Sequence, residues 1–128
     1  MNLAELFRHQ TDLLELAAGQ ALFNEGDPGD LMYVLMSGTA EIVVHGMVVE
    51  TAAAGAIVGE MAMIDDGARS ASLVARSDCS FLPIDRKRFN FLIQQTPNFA
   101  LHVMKVMAER LRKTDEILYA ERQRNAGR

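Results

Sequence analysis

The sequence predicts a mainly β fold, a β-roll or jelly roll, with flanking helices and one long C-terminal helix. Three observations predict it. Short apolar runs rich in Val, Ile and Leu recur through the middle of the chain. Glycine-bearing turns separate them. From Phe99 onward the apolar spacing changes to a helical period. Many short runs divided by tight turns favour a closed or doubly layered all-β architecture over a parallel sheet.

The elements follow in order. Leu3, Leu6 and Phe7 fall at helical spacing, which predicts a short helix over residues 2–9 capping the core. Leu13, Leu14 and Leu16 read as the continuation of a compact, partly helical lead-in before Gly19. Asn24-Glu25-Gly26-Asp27-Pro28-Gly29-Asp30 is a dense turn signal, because proline fixes its own φ and glycine reaches conformations closed to other residues. Residues 31–36 then read as a strand, turned by Ser37-Gly38. Residues 41–45 form a second run through Ile42, Val43 and Val44, and His45-Gly46 turns it into Met47-Val48-Val49. Gly55, Gly59 and Gly67 punctuate the next stretch, and residues 70–75 and 80–84 are further strands. Met32, Met36, Met61 and Met63 are expected to fill strand or loop packing, and Phe23 and Tyr33 to be core rather than stacking platforms.

Residues 86–94 read as a helix with Phe89, Leu92 and Ile93 on one side. Pro97 marks either a break or the first turn of the next helix. That next helix, about 99–122, is the longest helical pattern in the chain. Met107, Leu111, Thr114 and Leu118 carry a heptad-like alternation, which predicts a symmetric dimer through this helix. The alternative is a terminal helix folded onto its own roll. With no linker or repeat visible, residues 1–128 are expected to be a single domain that includes both flanking helices.

Composition narrows the function classes. At 49% hydrophobic, 128 residues can bury a core without metals or staples. A formal net charge of -4 disfavours nucleic-acid binding over the whole domain, and no direct contact with nucleic acid is expected. Cys79 is the only cysteine, so no intramolecular disulfide can form, consistent with a cytoplasmic setting. Residues 1–10 carry Glu5 and Arg8 and lack the apolar stretch of a secretory signal. Residues 53–63 come nearest to a membrane span, but Glu60 interrupts them, so no membrane insertion is expected. His9, His45 and His102 do not read as a metal set. Ser70 and Ser72 have no histidine in their element to make a hydrolase triad, so the chain does not read as an enzyme.

The informative segment is Gly55-Ala56-Ile57-Val58-Gly59-Glu60-Met61-Ala62-Met63, followed after a short acidic loop by Arg69-Ser70-Ala71-Ser72. Small residues let backbone approach an anion, exposed N–H groups can cradle it, and arginine adds directional donors and full charge. A carboxylate touching the same anion would repel it. Glu60 should therefore accept from a neutral donor such as a sugar hydroxyl. The competing reading is an ordinary Glu60–Arg69 salt bridge that pins the loop. Gly55 and Gly59 by themselves make neither a dinucleotide fingerprint nor a P-loop.

Two blocks carry a family resemblance. The first runs Leu22-Phe23-Asn24-Glu25-Gly26-Asp27-Pro28-Gly29-Asp30-Leu31-Met32-Tyr33-Val34-Leu35-Met36-Ser37-Gly38. The second is Val58-Gly59-Glu60-Met61-Ala62, continuing to Ala68-Arg69-Ser70-Ala71-Ser72. In this order and at this separation they resemble the cyclic-nucleotide-binding domains of catabolite-activator-type regulators, protein kinase A regulatory subunits and cyclic-nucleotide-gated channels. The likeness runs from about Phe7 through Leu118.

That resemblance implies a regulatory ligand, cAMP with cGMP as the other choice, and no cofactor. It implies that Glu60 takes the ribose 2′-hydroxyl and Arg69 the cyclic phosphate. Val58, Gly59, Met61 and Ala62 would lie on or beside the short turn whose backbone approaches the ligand, with Ser70 offering its hydroxyl and N–H and Ala71 leaving room. Thr114 and Asp115 fall where the activator branch contacts the base. Asp115 departs from the small hydroxyl residue that would suit its place, and Ala68 stands where the family often has proline. Activator-type regulators continue into a DNA-binding helix-turn-helix, whereas this sequence ends at Arg128. The implied role is signal transduction: a sensor that moves its C-terminal helix and informs an effector protein or a further domain. The alternative is a β-roll that binds no ligand and serves as an interaction module.

Overall fold

The computed structural model describes residues 1–65 and 67–126. Asp66 of the acidic loop and the terminal Gly127 and Arg128 lie outside the described residues. The described residues form strands β1 (Leu14–Leu16), β2 (Ala21–Phe23), β3 (Met32–Ser37), β4 (Ala40–Val44), β5 (Met47–Ala52), β6 (Ile57–Val58), β7 (Ser72–Ala75) and β8 (Cys79–Ile84). A 3-10 turn spans Glu60–Met63, and the α-helices are α1 (Leu3–Leu6), α2 (Arg86–Gln95) and α3 (Pro97–Ala126). The strands make two antiparallel sheets, ordered β1-β8-β3-β6 and β2-β7-β4-β5. Mainly β with flanking helices, a roll with a long C-terminal helix, is what the sequence predicts.

The alternation of side chains along β3 and β8 explains the layering. Tyr33, Leu35, Cys79 and Phe81 point into the space between the sheets, where Leu73, Ala40 and Ala52 of the second sheet meet them. Met32, Val34, Leu82 and Ile84 point the other way, under Leu3, Phe89, Phe99 and Val103 of the helices. β3 is therefore covered on both faces and reads as a nearly continuous apolar run. Register agrees with this, since Val34 lies opposite Leu82 and Leu35 opposite Phe81. Phe81, Phe99 and Leu3 are fully buried, and burying each such side chain contributes about 1.5–3 kcal/mol.

Local chemistry sets several boundaries. The Asn2 side chain accepts from the Glu5 N–H at 3.1 Å and starts α1, which ends after one turn rather than running over 2–9. Asp85 caps α2 through the Arg88 N–H at 2.8 Å. Pro97 is the first residue of α3, so it opens that helix and does not interrupt it. Phe89 and Phe99 meet edge to face, 5.9 Å between centroids, and fix α2 against α3.

The lead-in at Leu14 and Leu16 is a strand, not a helical segment: the two residues pair with Phe81 and Cys79 of β8. An open β8 edge more than sixty residues away overrides the local leucine pattern. β2 and β6, each only two or three residues long, also went unpredicted as strands. Among the described residues, no helix is long and apolar enough to cross a membrane.

Candidate functional site: a cavity between the roll and the C-terminal helix

The turn over residues 24–30 and the segment that begins at Arg69 hold each other by backbone. The Gly26 N–H donates to the Arg69 carbonyl at 2.8 Å, and the Arg69 N–H donates to the Asp27 carbonyl at 2.8 Å. The Glu25 N–H donates to Ser72 Oγ at 2.8 Å. The two sequence blocks are thus two halves of one support.

That support leaves Arg69 buried, with its guanidinium Cζ 4.2 Å from the centroid of the Phe23 ring. Phe23 is half-buried and serves as a platform under this cation, beyond the core role the sequence suggests. Arg69 Nη1 donates weakly, at 3.4 Å, to the Gly59 carbonyl. Arg69 Nε is buried and unpartnered among the described residues. A buried guanidinium with an unused donor is costly to keep unless an acceptor arrives.

Gly59 allows the approach. Its φ of +70° suits glycine, and a Cβ there would lie 2.7 Å from Arg69 Nη1 and 3.2 Å from the Leu31 carbonyl oxygen. The chain then enters the 3-10 turn, which buries Glu60.

Glu60 does not pair with Arg69. Its Oε1 accepts from Arg110 Nη1 of α3 at 2.8 Å. Arg110 also donates from Nε and Nη2 to the two oxygens of Glu50 on β5, at 3.1 and 3.0 Å. Burial works against the Arg110 charge, but the bonds and charges of Glu50 and Glu60 outweigh it and raise its pKa above the usual range. One guanidinium thus ties β5, the 3-10 turn and α3 together. The competing reading, a Glu60–Arg69 salt bridge, is not what forms: Glu60 is bridged to the helix instead.

The space between these groups is a cavity of about 330 Å³. Val58, Gly59, Glu60, Met61 and Ala62 line it on one side. Arg69, Ser70 and Ala71 line it on another, and Thr114 faces it from α3. Apolar wall is supplied by Ile42, Val49, Leu73 and Met107. A pocket of this size, mostly apolar with a few converging polar groups, suits a small organic anion. Asp115 is exposed and does not line the cavity. Met61 is half-exposed at the rim rather than packed inside the roll.

Of the residues expected at a helix–helix contact, Leu111 and Leu118 are exposed, Leu111 at the rim of the cavity. Met107 packs against its own helix-side core and Thr114 faces the cavity. Arg110 and Glu50 were not singled out by the sequence. The available signal was Arg110's place on the side of α3 that carries Val103, Met107 and Thr114, where a solvated cation would be out of place. Among the described residues no group of three His, Cys, Asp or Glu could hold a metal ion.

Comparison with known proteins identifies the family and the fold. The family profile described as cyclic nucleotide-binding domain matches residues 13–96. Over 79 residues the chain is 37% identical to human Rap guanine nucleotide exchange factor 3, covering 60% of this chain and 9% of that protein. Over 84 residues it is 37% identical to the cAMP-dependent protein kinase regulatory subunit of Aspergillus niger, covering 64% of this chain and 20% of that protein. The catabolite activator protein of Thermus thermophilus superposes with a TM-score of 0.72 at 28% identity, covering 90% of this chain and 62% of the other. The chain spans a minor part of the curated relatives it matches. On the matched profile and the shared roll, the chain belongs to the cyclic nucleotide-binding domain family.

Proposed function

We propose that the chain reversibly binds a 3′,5′-cyclic nucleotide, cAMP in preference to cGMP, and acts as a sensor without consuming it. One observation carries this reading. Arg69 and Glu60 line the same cavity without pairing with each other, and Arg69 keeps an unused buried Nε donor. Phosphate at Arg69 would satisfy that donor and receive charge-assisted bonds. Backbone N–H groups of the 3-10 turn and of Ser70 would complete its cradle. Glu60 would accept the ribose 2′-hydroxyl, a neutral donor that suits a carboxylate. The base would lie along the apolar wall toward Thr114. The name of the Aspergillus relative favours cAMP.

The output would run through α3. Ligand touching both the roll and Thr114 would favour one helix position over another, and only that difference in affinity can drive the shift. We propose that the outward row Leu101, Met104, Leu111 and Leu118 pairs with the same row of a second copy. Its members recur at three- and seven-residue steps, the repeat of two helices packed side by side. The sensor would then signal to an effector domain or protein in the cytoplasm. That same exposed row favours the second reading, an interaction module indifferent to nucleotide.

Titration calorimetry with cAMP and cGMP decides between them. Binding of either nucleotide, lost in Arg69→Ala, supports the sensor. No heat with either at millimolar concentration sinks it.

A further inference from the structure

The Glu50 carboxylate does more than neutralise a charge. It grips one edge of Arg110 at Nε and Nη2, which fixes the plane and rotation of the guanidinium, and in that orientation Nη1 meets Glu60 Oε1. Glu60 Oε2 has no hydrogen-bond partner among the described residues and belongs to a side chain that lines the cavity. Glu60 itself sits on a four-residue 3-10 turn, which gives its side chain little other support.

We infer that Glu50 is a positioning residue for sugar recognition: it aims Arg110, and Arg110 holds Glu60 with one carboxylate oxygen free for a ribose hydroxyl. This rests on the cyclic-nucleotide reading above and deepens it. Two carboxylates face one guanidinium, so the cluster carries one excess negative charge and favours a neutral hydrogen-bond donor over a second anion. Phosphate is thereby left to Arg69, and the two ends of the ligand are told apart. If Glu50 is removed, Arg110 can turn its fork and take Glu60 with both oxygens. The free acceptor then disappears, while Arg69 is untouched.

The test compares each cyclic nucleotide with its 2′-deoxy analogue by calorimetry on the wild-type chain, Glu50→Ala and Glu50→Gln. Wild type should prefer cAMP over 2′-deoxy-cAMP. Glu50→Ala should weaken cAMP roughly tenfold, the scale of losing a partner that orients a contacting group. Its affinity for 2′-deoxy-cAMP should stay within about twofold of wild type, so the preference collapses. Glu50→Gln, which keeps one acceptor oxygen and guards against simple misfolding, should show a smaller fall in the same ratio. An unchanged ratio in both variants, or an equal loss for both ligands, overturns the assignment and leaves the cyclic-nucleotide reading standing. A wild-type chain that binds none of the four nucleotides overturns both.

Discussion

Gly29 makes room for Arg69: a Cβ at Gly29 would overlap Arg69 Nε and lie 2.5 Å from Cζ. Gly29 is not in the left-handed region, so alanine is compatible with its backbone. What must give is the far end of a flexible side chain. Gly29→Ala should therefore leave the fold intact and displace the guanidinium. The expected result is at least about a tenfold loss of cyclic-nucleotide affinity, the order expected when a charged contact is misplaced. The thermal midpoint should change little. Full affinity in this variant would mean that the guanidinium does not need its observed seat.

Arg69 also gives an expectation of opposite sign for stability and binding. A buried cation with an unused donor is poorly compensated while no ligand is present, and an apolar side chain of similar length suits such a place at least as well. Arg69→Met should have a thermal midpoint equal to or above that of the ligand-free wild type. In the same protein, binding should weaken by about 2–5 kcal/mol, the range for removing one partner of a buried charged pair. Differential scanning fluorimetry with and without nucleotide reads both. A large fall in the ligand-free midpoint would show that Arg69 holds the roll together on its own.

The turn around Gly26 and Pro28 is legible from local chemistry, because neighbouring residues specify it. Glu60 and Arg69 are legible as a site only through the resemblance of the two blocks around them to a known family, since their spacing alone leaves an ordinary salt bridge open. What depends on distant partners is hidden. Leu14-Glu15-Leu16 becomes a strand only because β8 offers an edge to it. Arg110 looks like one more cation on a charged helix until α3 is laid against β5. The rotation of α3 about its axis decides that Met107 goes inward, Leu111 to the exposed rim of the cavity and Leu118 outward, and heptad spacing alone does not select between adjacent faces. Phe23 is plainly apolar in sequence, but its role beneath a guanidinium needs Arg69 brought back across more than forty residues.

Removing the bridge at Arg110 should be felt in the ligand-free protein. Glu60 is buried, and Arg110→Ala leaves its carboxylate and that of Glu50 without their cation. Truncating one member of a buried pair costs about 3–5 kcal/mol, and partial exposure of Glu50 puts the expected loss near the lower end. Urea unfolding at neutral pH measures it. A loss indistinguishable from zero would mean that water replaces the guanidinium easily and that α3 is not anchored by this contact.

Alkaline pH reports on the space between the sheets. Burial raises the pKa of the Cys79 thiol, outweighing the hydrogen bonds at the thiol, and burial also raises that of Tyr33. Both groups therefore hold their protons more tightly when folded. Their contribution to stability is complete below the pKa of the unfolded chain and is lost as pH rises through the folded value. Stability should begin to fall above about pH 8.5, where an unfolded thiol ionises, with tyrosine adding to the fall near pH 10. Ellman's reagent at pH 8 should react with Cys79 only in denaturant, since the thiol is 2% exposed and donates to the Thr39 carbonyl at 3.1 Å. Rapid reaction in the folded protein would mean that the two sheets open readily around it.

The exposed row on α3 allows the two functional readings to be separated from oligomeric state. Leu111 and Leu118 lie outward, and Asp115 stands between them at the step where a paired helix would place another apolar residue. Two parallel copies would bring their Asp115 carboxylates close across the seam, a like-charge contact that weakens association. Asp115→Leu should therefore tighten the dimer by roughly tenfold or more in sedimentation equilibrium, while Met104→Asp with Leu118→Asp should leave monomers. Nucleotide affinity should survive in all of these variants if the cavity belongs to one chain, because Met104, Asp115 and Leu118 do not line the cavity. If the Met104→Asp, Leu118→Asp protein is monomeric and loses binding, the partner helix completes the site. If Asp115→Leu leaves association unchanged, the seam runs along another face of α3.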